Sequence, residues 1–257
     1  MSATATRPGK VTALTYVRTA IYYVHIALAT LAIGSWGLVF QALPHGRKGV
    51  HRVASRWSRQ LLWAAKIWLN LRFEIRGMPP TGDCLIGAKH QSFFDILIIA
   101  SLAPERAFIM KKQILRVPIM GWFAWKAGCI PIDREKGSEA MKIMLAEVRA
   151  RQKGEGLGQL IIYPEGTRVH PGEKRRYKPG IGAVYEATGL PVVPVATNVG
   201  LFWNKRGYPI RSGVGVVEYL PPIAPGLSPL ALVERLEAEV EGTSDRLMAE
   251  AGFTSKG

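Results

Sequence analysis

The stretch CLIGAKHQSFFDILIIA, residues 84–100, decides the fold of this chain. CLIGA is apolar throughout and predicts a short buried strand. The polar residues that follow include Ser92 and Asp95, and their spacing is typical of a capping box at the start of a helix. A strand that leads through a polar loop into an apolar helix is the repeating unit of an α/β protein.

The same order of elements recurs along the chain. Apolar runs bounded by turn residues predict strands at 71–76, 84–88, 106–110, 129–132, 159–163, 190–197 and 214–220. Helical periodicity predicts later helices at 138–152, 180–189 and 228–251. Strands that alternate with helices imply an α/β fold with a largely parallel central sheet flanked by helices.

An apolar N-terminal segment precedes these elements. Residues 19–46 contain no Asp, Glu, Lys or Arg over 28 positions. A bilayer core needs about 20 apolar residues, whereas the apolar region of a secretory signal is about 7–15 residues long. We therefore expect a retained membrane segment, either a single spanning helix or a hairpin bent around Gly34, Ser35 and Gly37.

The charges on either side of this segment indicate its orientation. Basic residues are more numerous after it than before it: Arg47, Lys48, Arg52, Arg56 and Arg59 against Arg7, Lys10 and Arg18. The positive-inside rule then predicts that everything downstream lies on the cytoplasmic side. Residues 58–71 predict a helix with tryptophans and basic residues, which suits the headgroup interface or packing on the sheet equally well. We therefore divide the chain into a membrane-associated helical region, residues 1–70, and an α/β domain, residues 71–257.

The composition limits the partners of the chain. A net charge of +15 with only four aspartates indicates a polyanionic partner, namely nucleic acid, an anionic membrane or a phosphorylated small molecule. No interleaving of aromatic and basic residues typical of a nucleic-acid recognition module is present. Cys84 and Cys129 lie among apolar neighbours, which predicts a reducing compartment without disulfides. The scattered histidines predict no metal site.

His90 and Asp95 are the candidate catalytic residues. The capping box accounts for Asp95 without any chemistry, but it does not account for His90, which comes before the cap at the end of a strand. If His90 lies in the loop and Asp95 in the first helical turn, the carboxylate fixes the imidazole tautomer and leaves the other ring nitrogen as a general base. The sequence has no G-x-S-x-G elbow, so this base would activate a hydroxyl that the substrate brings.

Basic residues after several strands predict a phosphate site. Arg168 follows a strand and the glycine turn at Gly166, and an arginine beside freed backbone N–H groups suits a phosphate. Lys111 and Arg134 also follow strands. Because ligands bind outside the carboxyl ends of strands in open α/β sheets, we expect these three cations to converge with His90 and Asp95 at one edge.

Four ordered blocks of sequence resemble a known family. They are residues 90–95 (HQSFFD), 128–134 (GCIPIDR), 163–168 (YPEGTR) and 193–195 (VPV). In this order they look like the motifs of the glycerolipid acyltransferase superfamily, and most closely those of bacterial 1-acylglycerol-3-phosphate (lysophosphatidic acid) acyltransferases. The resemblance covers roughly residues 70–220. Lys89 departs from it, since many members have asparagine there, and this bears on substrate choice.

The resemblance implies a role for each matching residue. His90 would be the general base, oriented by Asp95, and Lys111, Arg134 and Arg168 would hold the phosphate of the acceptor. The remaining expected site residues would shape the acceptor site or the acyl-side wall: Glu165, Gly166 and Thr167 for the first, Val193, Pro194 and Val195 for the second. We expect the donors of the oxyanion site to be backbone N–H groups near the histidine loop.

The resemblance also implies the reaction and its partners. The expected reaction transfers a fatty acyl group from acyl-carrier protein or acyl-CoA to the sn-2 hydroxyl of lysophosphatidic acid, a step of phospholipid biosynthesis at the bacterial inner membrane. No cofactor, no metal, no nucleic acid and no obligatory protein partner are expected. Two alternatives stay open at this point. One is an acyltransferase of the same superfamily that uses another lysolipid such as lyso-ornithine lipid, and the other is a non-catalytic basic membrane-binding protein.

Overall fold

The fold is built on one seven-stranded sheet. In the computed structural model the described residues are 6–133, 137–154 and 156–253. The strands are β1 Leu71–Arg76, β2 Cys84–Ala88, β3 Arg106–Lys111, β4 Ile130–Ile132, β5 Gln159–Ile162, β6 Val192–Thr197 and β7 Gly213–Tyr219. Their order across the sheet is β1-β7-β6-β2-β5-β3-β4. All neighbours pair in parallel except β6 and β7, which confirms the predicted largely parallel sheet.

Seven α-helices surround the sheet in the part of the chain that the structure describes. They are α1 Ala13–Gly37, α2 Leu43–Leu69, α3 Phe93–Leu102, α4 Met120–Lys126, α5 Gly137–Lys153, α6 Gly180–Thr188 and α7 Pro229–Glu250. Side chains of β2 alternate between the two faces of the sheet, as strand geometry requires. Ile86 packs with residues of α1, α2 and α3, whereas Leu85 packs with residues of α5, α6 and α7. The sheet therefore has a helical layer on each face.

The predicted strands and later helices are present with small shifts at their ends. The short helix α4 and the 3-10 turn Lys112–Arg116 before it were not predicted. Pro118 and Gly121 interrupt any helical period between residues 112 and 126, and short helices of this kind owe most of their stability to packing rather than to their own sequence.

The N-terminal region is a helical hairpin. Helices α1 and α2 run antiparallel, as two hydrogen bonds between them show. The Tyr22 hydroxyl donates to the Leu61 carbonyl, and the Trp57 indole donates to the Thr30 hydroxyl. The bend lies at Gly46, inside the range given for α2, where φ is +56° and the backbone is not helical. It does not lie at the glycines expected to bend the chain. Gly37 instead permits close helix packing, since a Cβ there would lie 2.5 Å from a methyl group of Val53.

Helix α2 packs on the sheet with one of its faces, and the headgroup-interface interpretation of residues 58–71 stays a prediction. Leu61 and Ala65 are fully buried in the core shared with the sheet, so one face of the helix packs inward. Trp63 and Ile67 are more than half exposed on the opposite face. The helix therefore serves as a packing element and also presents apolar side chains outward.

Helix α1 presents an apolar stripe to the outside. The exposed residues recur at intervals of three and four: Leu14, Val17, Ile21, Val24, Leu28 and Leu31. Within the described residues, one helical stretch, Ala13–Leu69, is long and apolar enough to cross a membrane by length and composition. This gives the expected membrane association weak support on its own. The division of the chain into regions at residue 70 stays a prediction.

Candidate active site

His90 and Asp95 meet at the carboxyl end of β2. The imidazole Nδ1 lies 3.0 Å from Asp95 Oδ1, because His90 is in the loop after the strand and Asp95 is in the first turn of α3. The Asp95 carboxylate is fully buried, whereas 14% of the His90 side chain is exposed. With Nδ1–H donating to this carboxylate, Nε2 is left as the ring nitrogen that can accept a proton.

Asp95 makes both of the contacts considered for it. Its Oδ2 accepts hydrogen bonds from the backbone N–H groups of Gln91 at 2.9 Å and Ser92 at 2.6 Å, and Ser92 Oγ accepts from the Phe94 N–H. The capping box is therefore present, and the second carboxylate oxygen stays with the imidazole. One side chain fixes the loop, the helix start and the histidine together.

The backbone of the histidine loop is already engaged. The N–H of His90 donates to Glu165 Oε2 at 2.7 Å, and those of Gln91 and Ser92 donate to Asp95. Each of these three N–H groups therefore already has a carboxylate acceptor. The expectation that backbone N–H groups near this loop stabilise an oxyanion stays a prediction.

Tyr163 is a site residue whose contact with the histidine was not predicted. Its ring stacks on the imidazole of His90 with a centroid distance of 4.0 Å and an interplanar angle of 22°. Burial, followed by the nearby Asp95 carboxylate, raises the pKa of the Tyr163 phenol well above its ordinary value. The ring therefore packs on one face of the imidazole as a neutral group and restricts how it can turn.

Glu165 differs from the expectation that it shapes the acceptor site. It is fully buried and is not among the residues that line the cavity described below. Its Oε1 lies 2.9 Å from the Nζ of Lys89, and its Oε2 holds the backbone N–H of His90. Burial raises the pKa of Glu165 to about 7, against the opposing effect of the Lys89 ammonium.

A cavity of about 930 Å³ is lined in part by His90. Most of its lining is apolar and comes from the hairpin and from the helices after β3, as with Ile33, Trp57, Phe123 and Met144. An apolar cavity with a few polar groups at one place is typical of a binding site for a small molecule with a hydrophobic part.

The cavity brings together most of the cations that sequence reasoning selected. Lys111, Gly166, Thr167 and Arg168 line it together with His90. Arg134 lies outside the described residues. Lys178 and Lys205 also line the cavity and were not selected, because neither belongs to a recognised motif. These residues, which are spread along the sequence, therefore line one cavity, and their role in binding stays a prediction.

The expected acyl-side wall differs from what the structure shows. Val193 and Val195 are buried in the core under the sheet and do not line the cavity. The apolar wall comes from helices instead, including α4, which was not predicted at all. Side chains of a central parallel strand are covered on both faces, so they rarely remain free to contact a ligand.

Both cysteines are free thiols. In the described ranges 6–133, 137–154 and 156–253, no group of three or more His, Cys, Asp or Glu side chains could hold a metal ion. The expected absence of a metal and of a cofactor stays a prediction.

The comparison with protein families agrees with this geometry. A family described as Acyltransferase matches residues 71–198, a range that contains all four sequence blocks and the strands β1 to β6. The fold, the paired histidine and aspartate, and the family match together define the class of protein. This chain belongs to the acyltransferase family and is an acyltransferase enzyme.

Individual relatives point to one activity within that family. The 1-acyl-sn-glycerol-3-phosphate acyltransferase of Pseudomonas aeruginosa is 29% identical over 240 residues, which is 91% of each chain. The mouse 1-acyl-sn-glycerol-3-phosphate acyltransferase alpha is 32% identical over 178 residues, 66% of this chain and 62% of the mouse protein. The crystal structure of the 1-acyl-sn-glycerophosphate (LPA) acyltransferase PlsC from Thermotoga maritima superposes with a TM-score of 0.73 over 91% of this chain and 96% of the other. At 20% identity this last likeness shows the shared fold.

Proposed function

We propose that this enzyme transfers a fatty acyl group from a thioester to the sn-2 hydroxyl of lysophosphatidic acid and forms phosphatidic acid. The observation that carries the proposal is that His90, paired with the buried Asp95, lines one apolar cavity together with the selected cations Lys111 and Arg168. The activity named for the relatives from Pseudomonas aeruginosa and mouse supports the same reaction.

The acceptor phosphate would bind to Arg168 and Lys111. Both line the cavity that contains His90, and arginine is suited to a bidentate contact with a phosphate. Gly166 and Thr167 would complete this end of the cavity. Arg134 would add a third cation, as the family resemblance implies.

The chemical step would use His90 as the general base. As the sn-2 oxygen attacks the thioester carbonyl carbon, His90 Nε2 takes the hydroxyl proton, and Asp95 stabilises the imidazolium through Nδ1–H. The tetrahedral intermediate then collapses, the carbon–sulfur bond breaks, and the proton passes from His90 to the leaving thiolate. General-base catalysis contributes about 10²–10⁴-fold, so alignment of the two substrates supplies much of the remaining acceleration.

The apolar cavity would hold a fatty acyl chain during the reaction. Its lining from α1, α2, α4 and α5 offers no carboxylate among the described lining residues, which suits a hydrocarbon chain. The thioester donor would be acyl-carrier protein or acyl-CoA, which acts as a co-substrate, and no cofactor would be needed.

The hairpin would place the site at the lipid surface. The apolar stripe of α1 would enter the bilayer of the bacterial inner membrane, with the α/β domain of residues 71–257 on the cytoplasmic side as the basic flank after the segment indicates. A lysophosphatidic acid molecule could then reach the cavity without leaving the membrane.

An acceptor and donor panel tests this function. Purified protein is incubated with lysophosphatidic acid, lysophosphatidylcholine or lyso-ornithine lipid, with acyl-CoA or acyl-carrier protein, and free thiol and acylated product are measured. We expect preference for lysophosphatidic acid, and loss of that preference in Arg168→Ala. Preferred acylation of the phosphate-free lyso-ornithine lipid would overturn the proposal.

A further inference from the structure

Helix α7 contributes a buried carboxylate to the region behind the active site. Glu241 lies on this helix, beyond the range that the family comparison matches, and is 8% exposed. Its two carboxylate oxygens accept hydrogen bonds from the Nζ of Lys89 at 2.6 and 2.7 Å. The Tyr177 hydroxyl also donates to Glu241 Oε1, at 3.1 Å.

Lys89 connects Glu241 to Glu165, the residue that holds the backbone N–H of His90. Its Nζ lies 2.9 Å from Glu165 Oε1, and its side chain is 1% exposed. One ammonium is therefore shared by two carboxylates in the interior. Burial by itself would lower the pKa of the Lys89 ammonium, but the carboxylates of Glu165 and Glu241 raise it above its ordinary value, so Lys89 stays charged.

The network of Glu241, Lys89 and Glu165 ends at the backbone of the histidine loop. Glu165 Oε2 accepts the N–H of His90 at 2.7 Å, and the carbonyl of His90 accepts the N–H of Val169 at 2.8 Å. The direction of the Glu165 carboxylate thus fixes the peptide that carries His90, and Lys89 fixes the direction of that carboxylate. Lys89 is not among the residues that line the cavity, so it has no contact there with a substrate.

We propose that Lys89 and Glu241 are positioning residues that hold His90 in its catalytic position through the ionised carboxylate of Glu165. The proposal rests on the proposed function in that His90 acts as the base. It also gives Lys89 a role other than substrate choice, and it makes α7 part of the catalytic machinery.

The charges of this network predict how the pH dependence of kcat changes when Lys89 or Glu241 is replaced. Glu165 is faced by Lys89 from the loop after β2, by Glu241 from α7 and by the N–H of His90. The phenols of Tyr163 and Tyr177 also lie close to it. Glu237 and Lys174 surround the outer part of the network through Tyr177 and Asp245. Removing the ammonium raises the pKa of Glu165, whereas removing the Glu241 carboxylate lowers it.

The experiment measures kcat, KM and the pH profile of three variants with lysophosphatidic acid as acceptor. For Lys89→Met we expect kcat to fall about 10²-fold, as for a misplaced catalytic group, with little change in KM and an acid limb moved to higher pH. For Glu241→Ala we expect a smaller loss and an acid limb moved to lower pH, because the Lys89–Glu165 pair remains. Glu239→Gln, on the same helix in an exposed ion pair with Arg235, should leave the profile unchanged.

The opposite pH shifts separate positioning from a structural role. Loss of stability alone would lower the active fraction in both variants without moving their acid limbs in opposite directions. If Lys89→Met does not fold, the shift in Glu241→Ala decides, since that variant keeps a balanced pair in the interior. A wild-type enzyme active on lysophosphatidic acid with unshifted acid limbs in the folded variants would overturn the inference alone. A wild-type enzyme inactive on that acceptor would overturn the proposed function instead.

Discussion

The sheet edge that carries His90, Asp95 and Glu165, called the edge below, differs from the N-terminal hairpin in where its side chains find partners. At the edge, Asp95 and Glu165 are buried, and short hydrogen bonds within the chain fix both. In the hairpin, Leu14, Val24 and Leu28 are more than half exposed, and no part of the described chain covers them. The buried carboxylates at the edge have all their partners within the protein, whereas the apolar stripe of the hairpin has no cover within the described chain, as is typical of an interaction surface.

This difference explains how the two regions depend on their surroundings. Buried carboxylates have partners within the chain, so their geometry is set by folding and does not require a membrane. Covering an exposed apolar stripe lowers the free energy of the system, so the stripe is stabilised only when something covers it. Substitutions at the edge should therefore change the rate constant of the reaction, and substitutions in the stripe should change where the enzyme is found.

The largest effect is expected at the edge itself. We predict that His90→Ala lowers kcat/KM by about 10²–10⁴-fold, since it removes the general base. The rate of thiol release from acyl-CoA with lysophosphatidic acid measures this loss, and circular dichroism checks that the fold is intact. His45→Ala, at an exposed histidine near the hairpin bend, serves as the control. Near-wild-type activity in His90→Ala would refute general-base catalysis by this residue.

Next in size is the loss of a phosphate contact. Arg168→Ala removes a charge-assisted hydrogen bond worth about 1.5–3 kcal/mol, which corresponds to a decrease of about 10–150-fold in kcat/KM for lysophosphatidic acid. An acceptor without a terminal phosphate should lose much less. Arg235→Ala, at an exposed arginine on α7, is the matched control. Equal losses for both acceptors would show that Arg168 does not recognise the phosphate.

A smaller effect is expected in the stripe. Leu28, which is 62% exposed, would be buried in lipid, and burial of a leucine side chain contributes about 1.5–3 kcal/mol. We predict that Leu28→Glu weakens binding to lipid vesicles about tenfold or more, while kcat with detergent-dispersed substrate stays within the error of the assay. Vesicle sedimentation measures the binding. Leu230→Glu, at an equally exposed leucine of α7 (68%), should bind as the wild type does, and equal weakening by both variants would exclude the stripe as the membrane contact.

The smallest effect concerns the ring packed on the imidazole. Stacking of aromatic rings contributes about 0.5–1.5 kcal/mol beyond burial, so Tyr163→Leu should lower kcat about two- to tenfold. Tyr163→Phe keeps the ring and should retain most of the activity. If the phenylalanine variant loses as much as the leucine variant, the hydroxyl rather than the ring supports catalysis.

The sequence predicted the residues at the edge better than the buried residues that hold them in place. His90 and Asp95 lie five positions apart and are joined by one helical turn, so local geometry brings them together. Lys111 and Arg168 were predicted to lie near them because parallel strands end at a common edge. The partners of Lys89 were not predictable in this way, since Glu241 is 152 positions away in sequence and belongs to no motif. Tertiary packing alone brings these two residues together.

The hairpin was predictable in composition and less so in shape. The lack of charge over residues 19–46 indicated an apolar exterior, but it did not indicate which glycine would adopt the positive φ of the bend. A Cβ at Gly34 would meet Ile119 of the loop before α4, whereas nothing lies within 4 Å of the Cβ position of Gly46. That contact joins residues far apart in sequence, and so it left no local signal.

The most direct test of the central claim is a double-mutant cycle on the histidine–aspartate pair. Single-turnover rates of acyl transfer to lysophosphatidic acid are measured for His90→Ala, Asp95→Asn and the double variant. Because Asp95 is proposed to act through His90, the double variant should be as slow as His90→Ala alone, as for residues that act as a unit. Losses that multiply in the double variant would contradict the claim, since Asp95 would then contribute to the reaction without the histidine.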